Sequence, residues 1–178
     1  MRKSDLKKSI RTIPDFPKPG INFRDITTLL KNKDAFKKSV TMLAKKYRQE
    51  NIDYVVAVEA RGFILGGALA YKLGAGFIPV RKKGKLPGKT QGVTYSLEYG
   101  TDTLEIHEDA LALGSKVLIV DDLLATGGTV KAVCDLVKKM QGKIAGIAFL
   151  IELTDLKGKE KLREYPLYSI IKFKESEK

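Results

Sequence analysis

Apolar side chains recur at Phe36, Val40, Leu43 and Tyr47 with lysines between them, a spacing that predicts an amphipathic helix over residues 34–48. The unbroken apolar run Tyr54 to Val58 follows and predicts a strand covered on both faces. The alternation continues with a helix from about Gly62 to Leu73, a short strand from Phe77 to Val80 and an apolar strand from Lys116 to Asp121. A helix from Gly128 to Met140 and a strand from Ile144 to Leu153 complete it. Apolar strands separated by helices imply an α/β fold whose mostly parallel central sheet is flanked by helices. Near the N-terminus, Leu6, Ile10 and Ile13 stand opposite lysines and read as one more helix, suited to packing or to a dimer contact.

Two segments break the alternation. Residues 14–20, PDFPKPG, carry three prolines and fit neither a helix nor a central strand. Residues 82–107 hold glycines at 84, 88, 92 and 100 and are too long for an ordinary connection, although Val93 to Tyr99 and Thr103 to His107 could pair as a small hairpin. Long loops of this kind serve as lids or binding arms.

A chain of 178 residues with no repeats and no low-complexity linker is expected to form one domain, 1–178. It contains no uncharged apolar run of about 18 residues, and MRKSDLKKSIRTI lacks the apolar stretch of a signal peptide, so a soluble cytoplasmic protein is expected. Cys134 is the single cysteine, which excludes an internal disulfide and leaves any metal to hard, oxygen-bound chemistry. The net charge of +12 admits two accounts: a surface for nucleic acid or acidic membrane, or a lysine coat around a site for a small anion. Lysine pairs at 7–8, 37–38, 45–46, 82–83 and 138–139 disperse the charge, which favours the coat.

The densest chemistry lies in VLIVDDLLATGGT, residues 117–129. Asp121 and Asp122 stand at the carboxyl end of a predicted strand, where open α/β sheets bind ligands. Ionised carboxylates accept hydrogen bonds only, so a sugar diol suits them. Behind them, Gly127 and Gly128 let backbone N–H groups close on an anion, the following helix adds its positive end, and Thr126 and Thr129 add hydroxyl donors. Ala125 to Thr129 thus reads as a phosphate cradle beside a diol clamp, on the scale of one ribose 5-phosphate. A plain strand-to-helix turn would explain the glycines but not two acids in front of them. Neither a Walker A loop nor a GxGxxG fingerprint is present.

This segment resembles the phosphoribosyl-pyrophosphate motif of the type I phosphoribosyltransferases. FPKPGINFRDI, EARGF, RKKGKLPG, SLEYG and ELTDLKGK also resemble, in order and over nearly the whole chain, the adenine-specific members of that family. The resemblance implies transfer of a phosphoribosyl group to adenine, giving AMP and pyrophosphate, in a homodimer with Mg²⁺. It implies a small N-terminal hood over residues 1–33 that recognises the base, and a flexible catalytic loop over 82–107. Arg61, Arg81, Lys82 and Lys85 are implied pyrophosphate contacts, Lys85 reaching a neighbouring subunit, although Arg61 paired with Glu59 is the structural alternative. A cis peptide is implied in the loop of Glu59, Ala60 and Arg61. Glu98 is implied as general acid or base at the purine, with Asp121 and Asp122 acting near the metal. Mg²⁺ is expected mainly on substrate oxygens and water, with no direct protein ligand. Asn22, Phe23 and Arg24 are implied to read adenine, Phe23 by stacking, with Leu153 packing on the base. Asn22 departs from the apolar residue expected there.

His107 and Cys134 read as structural, Cys134 because it shares a helix face with Val130, Val133 and Val137. The aromatic residues form no basic-aromatic array for single-stranded nucleic acid, so neither nucleic acid nor membrane is expected as a partner. Two rivals stay open: a regulator that senses phosphoribosyl pyrophosphate while binding nucleic acid, for which no recognition helix is apparent, and a transferase for 6-oxopurines or xanthine.

Overall fold

The computed structural model describes residues 2–96 and 100–174. The chain opens with α1 (Lys3–Lys8) and β1 (Arg11–Ile13), which pairs antiparallel with β2 (Phe23–Asp25) as a separate two-stranded ribbon. The N-terminal helix is therefore shorter than its apolar pattern predicts. Leu6 is buried from α1, but Ile10 follows the helix and Ile13 ends a strand. The cause is local: Pro14 drives the preceding residue towards extended backbone, and Arg11 pairs across the ribbon with Asp25.

After α2 (Thr27–Lys31), α3 (Lys33–Tyr47) starts at Asn32, whose side chain accepts from the backbone N–H groups of Asp34 and Ala35 at 3.1 Å each. There follow β3 (Tyr54–Val58), α4 (Arg61–Leu73), β4 (Gly76–Lys82), β5 (Thr90–Ser96), β6 (Thr101–His107) and β7 (Lys116–Leu124). The chain continues with α5 (Gly128–Lys139), β8 (Lys143–Leu153), a 3₁₀ turn (Thr154–Leu156), α6 (Gly158–Lys161) and β9 (Leu167–Phe173). Seven strands form one sheet in the order β5-β6-β4-β3-β7-β8-β9. The strands β4, β3, β7, β8 and β9 run parallel, and β6 and β5 add antiparallel to the β4 edge.

Strand β7 shows why the apolar runs are continuous. Leu118 and Val120 pack into the core on the side of α3 and α4, while Val117 and Ile119 pack into the core on the side of α5. All four are fully buried, each contributing about 1.5–3 kcal/mol on transfer from water. A strand between two helical layers has no polar face to show in its pattern.

Three differences from the sequence reading matter for function. Residues 90–96 and 101–107 are not a loose arm but a hairpin that extends the sheet, registered from Thr90↔His107 to Ser96↔Thr101. Both expected strands form, but each begins earlier than its apolar pattern suggests, at Thr90 rather than Val93 and at Thr101 rather than Thr103. Strand β7 runs on past the two acids to Leu124, because Leu123 and Leu124 still pair with Ile151 and Glu152 of β8. Finally, β9 closes the far edge of the sheet, its LYSIIKF alternation too short to stand out beside the longer runs.

Candidate active site

The crevice is set by topology. From β3 the chain passes through α4 to β4, and from β7 through α5 to β8, so the direction of winding reverses between adjacent strands β3 and β7. Ligands of open α/β sheets bind outside the carboxyl ends of strands at such a reversal. Ala57 lies in register with Val120, so the residues just beyond, Arg61 and Gly62 on one side and Asp121 and Asp122 on the other, come together.

Asp121 accepts through Oδ1 from the backbone N–H of Asp122 at 2.8 Å. A Cβ on Gly62 would lie only 2.9 Å from that same oxygen, so glycine is what lets the start of α4 close on β7. Arg61 Nε stands 2.8 Å from Asp122 Oδ2. Its N–H is not aligned for a hydrogen bond, and Asp122 Oδ2 is a buried oxygen left without a hydrogen-bond partner among the described residues. Burial pushes both carboxyls up; the neighbouring Asp122 charge drives Asp121 further, while Arg61 opposes the rise at Asp122. Two acids held in this way gain from any ligand that donates hydrogen bonds to them.

The structural alternative for Arg61 is corrected in its partner. Glu59 pairs not with Arg61 but with Arg81, whose Nε and Nη2 donate to Glu59 Oε2 at 3.1 and 2.9 Å. Glu59 Oε1 accepts from the backbone N–H of Lys82 at 2.7 Å. Burial alone would raise the Glu59 carboxyl, but these bonds from Lys82 and Arg81 prevail and hold it below its ordinary value. The remaining Arg81 amino group, Nη1, donates to the carbonyl of Lys85 at 2.9 Å, and Lys82 Nζ lies 3.0 Å from Asp102 Oδ2. Arg81 is thus a brace, while the Lys85 side chain is exposed. The Glu59–Ala60 peptide is cis.

The cradle follows β7 directly. Gly127 has φ +79°, a conformation that favours glycine, and it begins α5 with no side-chain cap, so the helix start is open to an anion. A Cβ on Gly127 would lie 2.6 Å from the carbonyl oxygen of Gly158, and one on Gly158 would collide with the carbonyl oxygen of Ala125. Thr126 and Gly128 are half-buried, and Thr129 Oγ1 donates to Tyr95 Oη at 3.5 Å.

At the N-terminal ribbon, the Phe23 ring meets Phe16 edge-on with centroids 5.2 Å apart, and the Arg61 guanidinium stands 5.2 Å from the Phe23 centroid. Residues far apart in sequence are therefore joined at one site. Asn22 is half-buried beside Phe23. The Arg24 side chain turns elsewhere: it is buried, donates to Thr12 Oγ1 at 2.6 Å and to the Lys174 carbonyl at 3.4 Å, and lies 4.3 Å from the Phe173 centroid. Leu153 ends β8, half-buried and in register with Phe173. Glu98 lies outside the described residues. His107 Nε2 is 2.9 Å from the Pro87 carbonyl, and Cys134 is buried with its thiol pushed up to about 12 by desolvation, consistent with structural roles.

Gly62, Glu59, Asp102, Tyr95 and Gly158 shape the site and carry no chemical signature in the sequence. Glu59 and Gly62 flank Arg61 in EARGF, a signal that adjacency alone could have supplied.

Residues 25–177 match the phosphoribosyl transferase domain family, and the chain belongs to it. Its relatives narrow the membership. The adenine phosphoribosyltransferase of Brachyspira hyodysenteriae is 57% identical over 169 residues, covering 95% of this chain and 99% of its own. That of Trichlorobacter lovleyi is 59% identical over 169 residues, with the same coverage of 95% and 99%. The crystal structure of adenine phosphoribosyltransferase from Thermoanaerobacter pseudethanolicus superposes with a TM-score of 0.93 at 54% identity, covering 96% of this chain and 99% of that one. The Saccharomyces cerevisiae enzyme, crystallised with adenine and an iminoaltritol bisphosphate, gives 0.91 at 39% identity over 95% and 98%. Within the family, the chain belongs with the adenine phosphoribosyltransferases.

Proposed function

We propose that this chain joins adenine to phosphoribosyl pyrophosphate at N9, forming AMP and pyrophosphate, the reaction of purine salvage. The observation that carries the reading is the acid pair of half-buried Asp121 and buried Asp122, set between Arg61 and the glycine cradle. The cradle, Ala125 to Thr129, takes the 5-phosphate, and the acids accept from the ribose hydroxyls. Arg61, with Lys82 and Lys85, receives the pyrophosphate, and Arg81 holds that strand end through Glu59. Bond breaking at the anomeric carbon builds positive charge on the sugar as the pyrophosphate leaves, so fixed charges on both sides supply much of the catalysis. Phe23 packs on the purine, main-chain groups of Asn22 and Arg24 read its edge, and Leu153 covers it. Glu98 shares the imidazole proton as the glycosidic bond forms.

The donor set fits Mg²⁺. It is all oxygen, it includes an unsatisfied buried carboxylate atom at Asp122, and no group of three or more metal-binding side chains occurs among the described residues. Two carboxylates suit an ion that keeps its waters, so Asp121 and Asp122 would hold it through water beside the substrate oxygens. Bound there, Mg²⁺ neutralises pyrophosphate charge.

The enzyme works as a homodimer in the cytoplasm. Ile64 and Tyr71 on α4 and Phe77 on β4 are large apolar side chains 46%, 90% and 38% exposed, a surface suited to a second copy. No described helix is long and apolar enough to cross a membrane.

Incubation with phosphoribosyl pyrophosphate, Mg²⁺ and adenine should release AMP and pyrophosphate in equal amounts. Pyrophosphate release without AMP would mean hydrolysis and would overturn the transferase reading. Glu98→Gln should lower kcat far more than it weakens sugar binding, and unchanged turnover would remove Glu98 from the mechanism.

A further inference from the structure

The β5 side chains alternate between outside and inside, with Thr94 and Ser96 exposed and Val93 and Tyr95 half-buried. Val93 and Tyr95 pack on the same core as Val130 and Val133 of α5. The Tyr95 ring closes over the start of that helix: a Cβ on Gly128 would lie 4.0 Å from Tyr95 Cδ2 and 3.8 Å from the Ser96 carbonyl oxygen. Packing alone would be met as well by phenylalanine. The hydroxyl that phenylalanine lacks meets Thr129 Oγ1, at 3.5 Å.

We propose that Tyr95 is a positioning residue for the phosphate cradle, its hydroxyl holding the Thr129 side chain so that the threonine O–H is delivered to the 5-phosphate. The proposal rests on the reading of residues 125–129 as that cradle. In the free protein the threonine donates to the phenol over a distance at the weak end of the hydrogen-bond range, so little is lost when a better acceptor arrives. A phosphate oxygen is such an acceptor, because bonds to a charged group are shorter and stronger. A hydroxyl both donates and accepts, so Tyr95 O–H then donates to Thr129 Oγ1 while Thr129 O–H donates to the phosphate. Each bond polarises the next.

The test is Tyr95→Phe, with ribose 5-phosphate binding followed by calorimetry and turnover by steady-state kinetics. The variant should keep the wild-type Tm, bind ribose 5-phosphate about three- to tenfold more weakly, and show a matching rise in KM for phosphoribosyl pyrophosphate with a smaller change in kcat. In a Thr129→Val background the same substitution should add nothing further, since the group it positions is gone. Equal affinity in wild type and Tyr95→Phe, or a full additive loss in the Thr129→Val background, overturns the proposal. Failure of the wild type to bind either sugar phosphate is a different result: it overturns the cradle assignment on which the proposal stands.

Discussion

Gly127 and Gly158 meet backbone to backbone, so closely that a Cβ on the first would lie 2.6 Å from the carbonyl oxygen of the second. The contact seats the segment after Leu153 against residues 125–128, the turn proposed to hold the 5-phosphate. Gly158→Ala forces a methyl group into the Ala125 carbonyl. Overpacking of this kind costs about 1–3 kcal/mol, and here the strain falls on the cradle. The variant should lower Tm by several degrees and raise KM for phosphoribosyl pyrophosphate at least about tenfold. Wild-type affinity for that substrate would show that the contact does not shape the cradle.

Arg61 stands between Asp122 and Phe23, the charge partner of one and a cation on the ring of the other. In the proposed reaction its charge would face the leaving pyrophosphate as negative charge develops there. Arg61→Gln should therefore reduce kcat/KM by about 10²–10³-fold, the scale for removing one preorganised electrostatic contact. Steady-state kinetics at saturating adenine measure it, and a fall of less than threefold would assign Arg61 to structure alone.

Burial, with the Asp122 charge added to it, raises the Asp121 carboxyl well above its usual value. A raised acid loses stability as the pH climbs from its unfolded pKa towards its folded one, and the loss is full above the folded pKa. Asp121→Asn keeps Oδ1 for the Asp122 N–H but removes the charge. It should stabilise the fold at pH 7 by about 1 kcal/mol while lowering turnover at least about a hundredfold, a trade of stability against function. Urea denaturation beside activity decides the matter, and a less stable variant would contradict it.

The opposite sign holds at Asp25, which ends β2 next to Phe23 and Arg24. Its carboxylate accepts from the Thr27 N–H at 2.9 Å, from Arg11 Nε at 3.0 Å and from Thr27 Oγ1 at 2.8 Å. The backbone bond from Thr27, then the Arg11 contact, hold its pKa down to about 2 against 3.8. A depressed carboxylate contributes stability that is full above its unfolded pKa and is lost as the pH falls through the folded one. Asp25→Asn should cost about 1–2 kcal/mol at pH 7, allowing for the exposure of Arg11, with the difference shrinking as the pH is lowered from about 5 towards 3. A difference independent of pH would show that the charge is not the source.

The parallel core was legible because Tyr54 to Val58 and Val117 to Val120 are buried on both faces and so read as unbroken apolar runs. The cradle was legible because Asp121, Asp122, Gly127 and Gly128 are consecutive or nearly so, and local spacing carries their chemistry. The braces were not. Glu59 finds Arg81, and Asp102 finds Lys82, only because β3, β4 and β6 lie side by side in the sheet. Nothing local marks one glutamate or aspartate as the partner of a distant cation. Arg24 shows the reverse: it sits in the expected segment, yet strand alternation turns its side chain onto Phe173, leaving its neighbour Phe23 beside Arg61.

Transfer to adenine rather than to another purine is read out by a purine panel. Adenine, hypoxanthine, guanine and xanthine are each supplied with phosphoribosyl pyrophosphate and Mg²⁺, and kcat/KM is measured from nucleotide formation. Adenine should exceed every 6-oxopurine by at least about a hundredfold, because a site arranged for an amino group leaves buried polar groups unpaired when it meets an oxo group. Nucleotide from guanine or hypoxanthine but not from adenine would contradict the account.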